Sequence, residues 1–154
     1  AGNNWFSQGL IKPGKLPGVI TNPGSPATGH QWAYLPDVAE TIAALLERRE
    51  ELEPFARFHM QGHWDADGSE MVSAIQRTAA RFGGVAKIRS FPWWFMYLAA
   101  PFNATLRELL EMRYLWRQSV RLDNTKLVNF LGAEPHTPLD VAVHTTLQGL
   151  GCID

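Results

Sequence analysis

Glycine and proline are concentrated at the start of this chain, and they limit what that segment can form. Eleven of the 23 glycines and prolines (13 Gly and 10 Pro) lie within the first 36 residues. A segment so rich in turn formers does not sustain a helical period. We expect residues 1–29 to form an extended strap that lies against another part of the protein, with regular structure beginning near residue 30.

Length, charge and cysteine content restrict the class of protein. The 154 residues, 45% of them hydrophobic, predict a single globular domain over 1–154. A net charge of -1 argues against a dominant nucleic-acid role, which needs a basic excess. The longest nearly apolar segment, 91–102, contains two prolines and is too short to span a membrane. Cys152 has no second cysteine to pair with, which suits the reducing cytoplasm.

The pattern after residue 29 predicts an α+β domain that is mostly helical, with two or three short strands. Alternating polar and large residues predict strands at 30–34, 55–61 and 85–89. Helical spacing predicts helices, and these cover 38–46, 70–82, 103–116, 122–131 and 138–150, with a proline-bracketed apolar helix or irregular segment at 91–102. Because a few short strands are marginal alone, we expect them to add to a sheet supplied by another segment.

Three polar residues stand where helix caps are expected. Asp37 precedes an apolar helical stripe and has Glu40 three residues later, which is the spacing of a capping box. Thr137 is followed by Pro138, a residue favoured at the first position of a helix, and Asp123 opens another helical segment. We therefore assign Asp37, Asp123 and Thr137 to structure rather than to catalysis.

The sequence lacks the familiar catalytic motifs. It contains no glycine-rich dinucleotide loop, no P-loop, no serine-nucleophile elbow and no cysteine cluster for zinc. His59 and His63 have the spacing of a metal-binding pair, but Gly62 predicts a turn between them. A strand residue followed by a turn residue is therefore favoured over a metal site. We predict no catalytic, cofactor-binding or metal-binding residue in this chain.

Aromatic residues supply the first candidates for a ligand pocket. Most of the six tryptophans are expected to pack in a core, because aromatic rings dominate core energetics. The alternative is a pocket wall for a flat ligand. Trp5, Trp32 and Tyr34 lie on the strap or beside it, and there we favour the pocket role.

Arginines at regular spacing supply a further candidate. Arg113, Arg117 and Arg121 would share one face of a continuous helix, where like charges repel. An anionic ligand or an acidic partner would relieve that repulsion, although a solvated face is the favoured interpretation. Arg113 is expected in mid-helix, facing a cleft, where its guanidinium could hold a carboxylate or phosphate through two parallel hydrogen bonds.

Four segments, taken in order, resemble a known family. They are His30-Gln-Trp-Ala-Tyr-Leu-Pro-Asp-Val-Ala39, then Phe58-His-Met-Gln-Gly62 with its following helix, then Leu122-Asp-Asn-Thr-Lys-Leu127 through Gly132, and finally Pro135 to Leu150. Their order and spacing resemble the C-terminal half of extended short-chain dehydrogenases/reductases, the family of NAD-dependent epimerases and dehydratases. The resemblance runs from about residue 5 to residue 151.

The resemblance implies a substrate-binding subdomain over residues 30–154, belonging to a Rossmann-type epimerase, dehydratase or reductase. In that family the N-terminal Rossmann domain carries the glycine-rich loop, a serine and a Tyr-x-x-x-Lys pair. Tyr34, Tyr97 and Tyr114 have no lysine at that spacing, so no catalytic residue carries over. The implied partner is the missing Rossmann domain, which would bind NAD or NADP. Together with the initial Ala1, this implies a fragment that is inactive alone.

Two other functions stay open at this stage. The chain could be a non-catalytic, dinucleotide-linked sensor, or a small helical interaction domain that uses Trp93 and Trp94 as an exposed anchor. For the favoured function, we expect a small-molecule substrate bound by Trp5, Trp32, Tyr34 and Arg113. We also expect a homo-oligomer, because Trp5, Phe6, Trp32 and Tyr34 would be exposed without the missing half.

Overall fold

A computed structural model describes residues 6–25 and 27–154 as an α+β fold that is about half helical. The strands are β1 (Val19–Asn22), β2 (His30–Trp32), β3 (His63–Asp65) and β4 (Lys87–Ser90). The helices are α1 (Leu35–Glu47), α2 (Glu70–Arg81), α3 (Trp93–Ala99), α4 (Ala104–Glu111), α5 (Thr125–Leu131) and α6 (Leu139–Gly149). A π-helical turn covers Phe6–Leu10, and 3-10 turns cover Arg49–Glu51, Ala100–Phe102 and Met112–Trp116.

The strands of the described residues form two separate pairs. β1 lies parallel to β4, with Ile20 opposite Ile88. β2 lies antiparallel to β3, and we call this pair the ribbon. The strand expected at 55–61 is wrong, because pairing begins only at His63. The N–H groups of Gln61 and Gly62 donate to the Glu134 carboxylate at 2.9 and 2.7 Å, so they are not free to extend the ladder.

The apolar core lies between α2, α6 and β1. Ile20, Ile75 and Leu147 are fully buried there. The predicted stripe of α2 is confirmed, since Met71, Val72, Ile75 and Ala79 are all buried, although Phe82 just after the helix is exposed. Leu10 and Ile11 also belong to this core, so the strap region contributes buried side chains rather than only covering the surface.

The capping roles predicted for Asp37 and Thr137 are wrong. α1 begins at Leu35, ahead of Asp37, and Pro138 rather than Thr137 precedes α6. Asp37 lies on the buried side of α1, where its carboxylate meets the loop before α6 instead of its own first turn. There it accepts hydrogen bonds from the Thr137 hydroxyl at 2.6 Å and from the Thr137 N–H at 2.9 Å.

The helix expected over 103–116 begins as predicted but ends early. The Asn103 side chain caps α4 by accepting from the Leu106 N–H at 3.3 Å. The helix ends at Glu111, and the 3-10 turn that follows brings Trp116 against His30 of the ribbon. The prediction that Arg113, Arg117 and Arg121 share one helical face is therefore wrong.

Asp123, the remaining predicted cap, is not the N-cap residue of α5, which is Asn124, but its carboxylate still accepts from the start of the helix. Its carboxylate accepts a hydrogen bond from the Thr125 N–H at 3.0 Å, and Thr125 is the first residue of the helix. The helix ends at Gly132, whose φ of 91° is a backbone conformation that residues with a side chain rarely adopt.

Exposed apolar surface lies elsewhere than the sequence predicted. Trp5 lies outside the described residues, and the expected exposure of Phe6, Trp32 and Tyr34 is wrong, because all three are half-buried. Phe6 and Trp32 pack against the core. The exposed apolar side chains instead lie mainly on α1 and around α3, and they include Leu35, Ile42, Leu46, Trp94, Phe95, Leu98 and Phe102.

Helix length sets a simple limit on membrane insertion. The longest described helix, α1, has 13 residues, which corresponds to about 20 Å, whereas a bilayer core is about 30 Å thick. Over 6–25 and 27–154, no helix is therefore long and apolar enough to cross a membrane.

Candidate ligand-binding cleft

The ribbon places four functional side chains on one face. Residues opposite each other in an antiparallel pair point to the same side of the sheet. His30 lies opposite Asp65, and Trp32 lies opposite His63. One face of the ribbon therefore carries two imidazoles, an indole and a carboxylate.

Two glycines let the ribbon close. A Cβ atom on Gly29 would lie 2.5 Å from the Trp64 ring. A Cβ atom on Gly62 would lie 2.5 Å from the Trp32 carbonyl oxygen, and Gly62 has a φ of +55°. A side chain at either position would push the two strands apart, so the glycines are required for the spacing of the site.

Three rings in contact form the wall of a small cleft. His30 stacks on Trp116 with ring centroids 4.1 Å apart and an angle of 14°. Trp32 contacts His30 edge-on at 4.9 Å and Trp116 at 5.7 Å. The cleft lies against this wall and against the end of β1, and its complete lining is Asn22, Gly24, Thr28, His30, Trp32, Gly68 and Trp116.

The polar side of the cleft is fixed by hydrogen bonds. The Asn22 amide donates to the Gly68 carbonyl at 2.9 Å, and its oxygen accepts from the Gly24 N–H at 2.9 Å. Gly68 has a φ of +76°, and a Cβ atom there would lie 2.8 Å from the Thr28 carbonyl oxygen. These contacts hold Asn22, Gly24 and Thr28 close to Gly68 and define the opening.

Three buried polar atoms on the ribbon face have no hydrogen-bond partner. They are Trp32 Nε1, His63 Nε2 and Asp65 Oδ1. Asp65 is only 3% exposed, and its other oxygen accepts from the Met71 N–H of α2 at 3.1 Å. An unpaired buried polar atom costs about 1–3 kcal/mol. Of the three, only the Trp32 indole N–H belongs to a residue that lines the cleft, so it is the one that a ligand there could pair.

Burial keeps both imidazoles of this face neutral at neutral pH. Burial lowers the pKa of His30, against a hydrogen bond with the Leu115 backbone and the charge of Asp65. Burial, together with the neighbouring His136, lowers the pKa of His63, against the charges of Asp37 and Glu134. A neutral imidazole has one donor and one acceptor nitrogen, and of the two rings only that of His30 lines the cleft.

The opposite face of the ribbon is closed by the 119–122 segment. The Gln31 side chain donates to the carbonyl of Gln61 at 2.8 Å and accepts from the Leu122 N–H at 2.7 Å. The Arg121 guanidinium lies over the Trp64 ring at 5.4 Å. Only the His30 face of the ribbon is therefore available to a ligand.

The four substrate-binding residues predicted from sequence do not lie together in one site. Trp32 lines the cleft, and Trp5 lies outside the described residues. Tyr34 is half-buried at the start of α1 and does not line the cleft. Arg113 is also outside the lining, where it donates to the Tyr97 hydroxyl at 2.5 Å and lies 5.3 Å from the Trp93 ring.

Trp32 is the one cleft-lining residue that the sequence singled out as a site residue, and the two other rings of the wall, His30 and Trp116, were missed, as was Asp65 on the same ribbon face. The alternation at His30-Gln-Trp32 signalled a strand with one shared face, and His63-Trp-Asp65 carries the same pattern. No local pattern brings Trp116 to His30, because that contact joins distant parts of the chain.

Metal ligation was the less favoured interpretation of His59 and His63. His63 is buried on β3, whereas His59 is exposed before it. Within the part of the chain that the structure describes, no group of three or more His, Cys, Asp or Glu side chains could hold a metal ion.

Comparison with known proteins assigns the chain to no family. No family model matches it, and no curated protein or solved structure matches it significantly. The cleft is therefore interpreted through its own chemistry, which combines an aromatic wall with the unpaired indole N–H of Trp32.

Proposed function

We propose that this chain is the substrate-binding part of an NAD(P)-dependent epimerase, dehydratase or reductase. A separate Rossmann domain would bind NAD or NADP and supply the catalytic residues, so the chain alone is inactive. The observation that carries the proposal is the cleft itself, in which Trp32 combines a ring wall with an unpaired buried N–H. Ligand pockets typically join an apolar wall to a few placed polar groups.

The β1–β4 pair supports the need for a partner domain. All four residues of β4 are exposed, and Val19 and Ile88 are exposed apolar residues of the pair. Parallel strands occur almost only in sheets covered on both faces. An isolated parallel pair of this kind is expected beside a further domain, and the proposed Rossmann domain would be that partner.

The proposed setting follows from the same reasoning. The ligand is a small molecule with a carbonyl or hydroxyl carbon that exchanges hydride with the nicotinamide. The protein acts in the cytoplasm, with no role for nucleic acid or membrane, and it can form a homo-oligomer. The exposed apolar residues of α1 and α3 are the surfaces available for these protein contacts.

A helical interaction domain is the second candidate, and one observation favours it. Trp94 is 67% exposed at the start of α3, beside the exposed Phe95. Trp93 does not share this role, because it is half-buried and its indole N–H donates to the Pro23 carbonyl at 2.9 Å. The anchor proposed from sequence is thereby reduced to Trp94.

Paired tryptophan substitutions in the intact protein distinguish the two functions. Trp32→Phe keeps a ring but removes the cleft N–H, and Trp94→Phe makes the same change on an exposed surface. Reduced-nicotinamide absorbance would be followed with active compounds from a screen of hydroxy and carbonyl substrates. Trp32→Phe should lower kcat/KM about tenfold to about hundredfold, the effect of one lost hydrogen bond in a buried site. Trp94→Phe should leave it unchanged.

The reverse pattern contradicts the proposal. Full activity in Trp32→Phe would show that the cleft does not bind the substrate. Loss of partner binding in Trp94→Phe, with no nicotinamide-dependent turnover in the wild type, would favour the interaction domain.

A further inference from the structure

Two histidines meet beside the ribbon, at the end away from the cleft opening. His63 on β3 and His136 have ring centroids 4.5 Å apart. His63 is only 9% exposed, whereas His136 is exposed. A buried imidazole therefore touches one that solvent can reach and that lies on a loop between two helices.

The loop that carries His136, residues 132–138, is held at two points. Glu134 accepts from the N–H groups of Gln61 and Gly62, and also from the Asn124 amide at 2.7 Å. Thr137 donates twice to Asp37 of α1. His136 lies between these two anchors, so the loop joins β3 to the first turn of α1.

The surroundings of His63 suit a neutral ring and not a charged one. Its Nε2 is buried with no hydrogen-bond partner. The charged groups that face it are His136 and Glu134 from the loop and Asp37 from α1, and Asp65 lies two residues further along its own strand. The charges of Asp37 and Glu134 oppose this by favouring a cation, but no hydrogen bond joins either carboxylate to the buried Nε2.

We propose that the 132–138 loop is an acid-released latch, closed while His63 is neutral and released when His63 takes a proton. Protonation would bury a cation whose N–H has no acceptor, in contact with the His136 ring. Moving the exposed His136 away relieves this cost, because it admits water to His63. Release breaks the hydrogen bonds of Glu134 to Gln61 and Gly62 and those of Thr137 to Asp37, which tie the loop to β3 and to α1.

The direction of the pH dependence follows from the pKa of His63 in the closed state. Burial and the neighbouring His136 both lower that pKa. The open state then binds more protons than the closed state once the pH falls below the ordinary histidine range. The closed state is therefore favoured at neutral pH and above, and it is lost progressively as the pH falls.

Amide hydrogen exchange of the chain at about pH 8 and about pH 5 tests the latch. After correction for intrinsic exchange rates, protection at Gln61, Gly62 and Thr137 should be lower at the lower pH. Protection at Ile75 and Thr78 in α2 should stay constant. Equal protection of the latch amides at both pH values would overturn the proposal.

Matched histidine substitutions identify the group that titrates. His63→Gln should abolish the pH dependence at Gln61, Gly62 and Thr137. His144→Gln changes a half-buried histidine of α6 that stacks on Phe82, outside the latch, and should retain the wild-type pH dependence. If His63→Gln loses protection with pH as the wild type does, the proposal is wrong.

A substitution at the exposed histidine avoids any folding defect at His63. In His136→Gln, the His63 ring should titrate at a higher pKa than in the wild type, because the neighbouring positive charge is gone. An unchanged titration of His63, followed by NMR, would show that the two rings are not coupled and would overturn the latch.

Discussion

α1 and α2 are amphipathic helices of similar length, 13 and 12 residues, that use their apolar faces in opposite ways. α2 buries its stripe, with Ile75 fully inaccessible, against α6 and β1. α1 buries Asp37 and Thr41 and exposes Leu35, Ile42 and Leu46. α2 is therefore held by apolar burial, whereas polar contacts hold the inner side of α1.

This difference between the two helices indicates that the exposed apolar stripe of α1 is a surface available for contact with another domain. The Thr41 hydroxyl donates to the Asp37 carbonyl at 2.8 Å, and the Asp37 carboxylate is bonded to Thr137, so the inner face of α1 is satisfied by hydrogen bonds. An exposed apolar stripe on such a helix contributes little to the stability of the chain by itself. It is the face that the proposed Rossmann domain would cover.

The largest expected effect is a difference in the free energy of unfolding between matched substitutions in α2 and α1. Ile75→Ala should lower the free energy of unfolding by about 2–5 kcal/mol, because it leaves a cavity in the core. Ile42→Ala removes the same atoms from a position that is 52% exposed, and should lower it by less than about 0.5 kcal/mol, as surface changes usually do. Urea denaturation of both variants measures the contrast. Equal losses would mean that the stripe of α1 is already buried in a stable oligomer.

A smaller effect tests the polar attachment of α1. Asp37→Ala should lower the free energy of unfolding by about 1–3 kcal/mol, because the Thr137 N–H and hydroxyl lose their acceptor. Thr137→Val is the matched partner, since it removes the hydroxyl and keeps the shape. In a double-mutant cycle the two losses should be less than additive. Full additivity would show that the two side chains act independently and that Asp37 stabilises α1 in another way.

Elements set by local pattern were predictable from sequence, and elements set by distant contacts were not. The stripe of α2 and the Asn103 cap depend on neighbours within a few residues, and both are present. The failed strand at 55–61 depends on Glu134, and the failed cap at Asp37 depends on Thr137, each far away in sequence. The Glu134 acceptor and the Thr137 donor cannot be inferred from sequence spacing. Only the folded chain brings Glu134 to Gln61 and Thr137 to Asp37.

In the candidate site, too, the residue placed by a local pattern was predictable, and the residue placed by a distant contact was not. Alternation within β2 predicted the position of Trp32, which lines the cleft. Trp116 reaches the cleft because α4 ends at Glu111 and a 3-10 turn then brings Trp116 against His30. The helical period over 103–116 did not predict this change. Because the helix ends at Glu111, Arg113 also does not share a helical face with Arg117 and Arg121, although the sequence had predicted that it would.

The coding sequence upstream of Ala1 tests the central claim most directly, because the claim requires a Rossmann domain in the same protein. We predict a strand–loop–helix with a G-x-x-G-x-x-G loop, followed by a Tyr-x-x-x-Lys pair before Ala1. A glycine loop without the Tyr–Lys pair would contradict catalysis and indicate a dinucleotide-linked sensor. An upstream sequence with neither motif would contradict the whole account and leave the helical interaction domain.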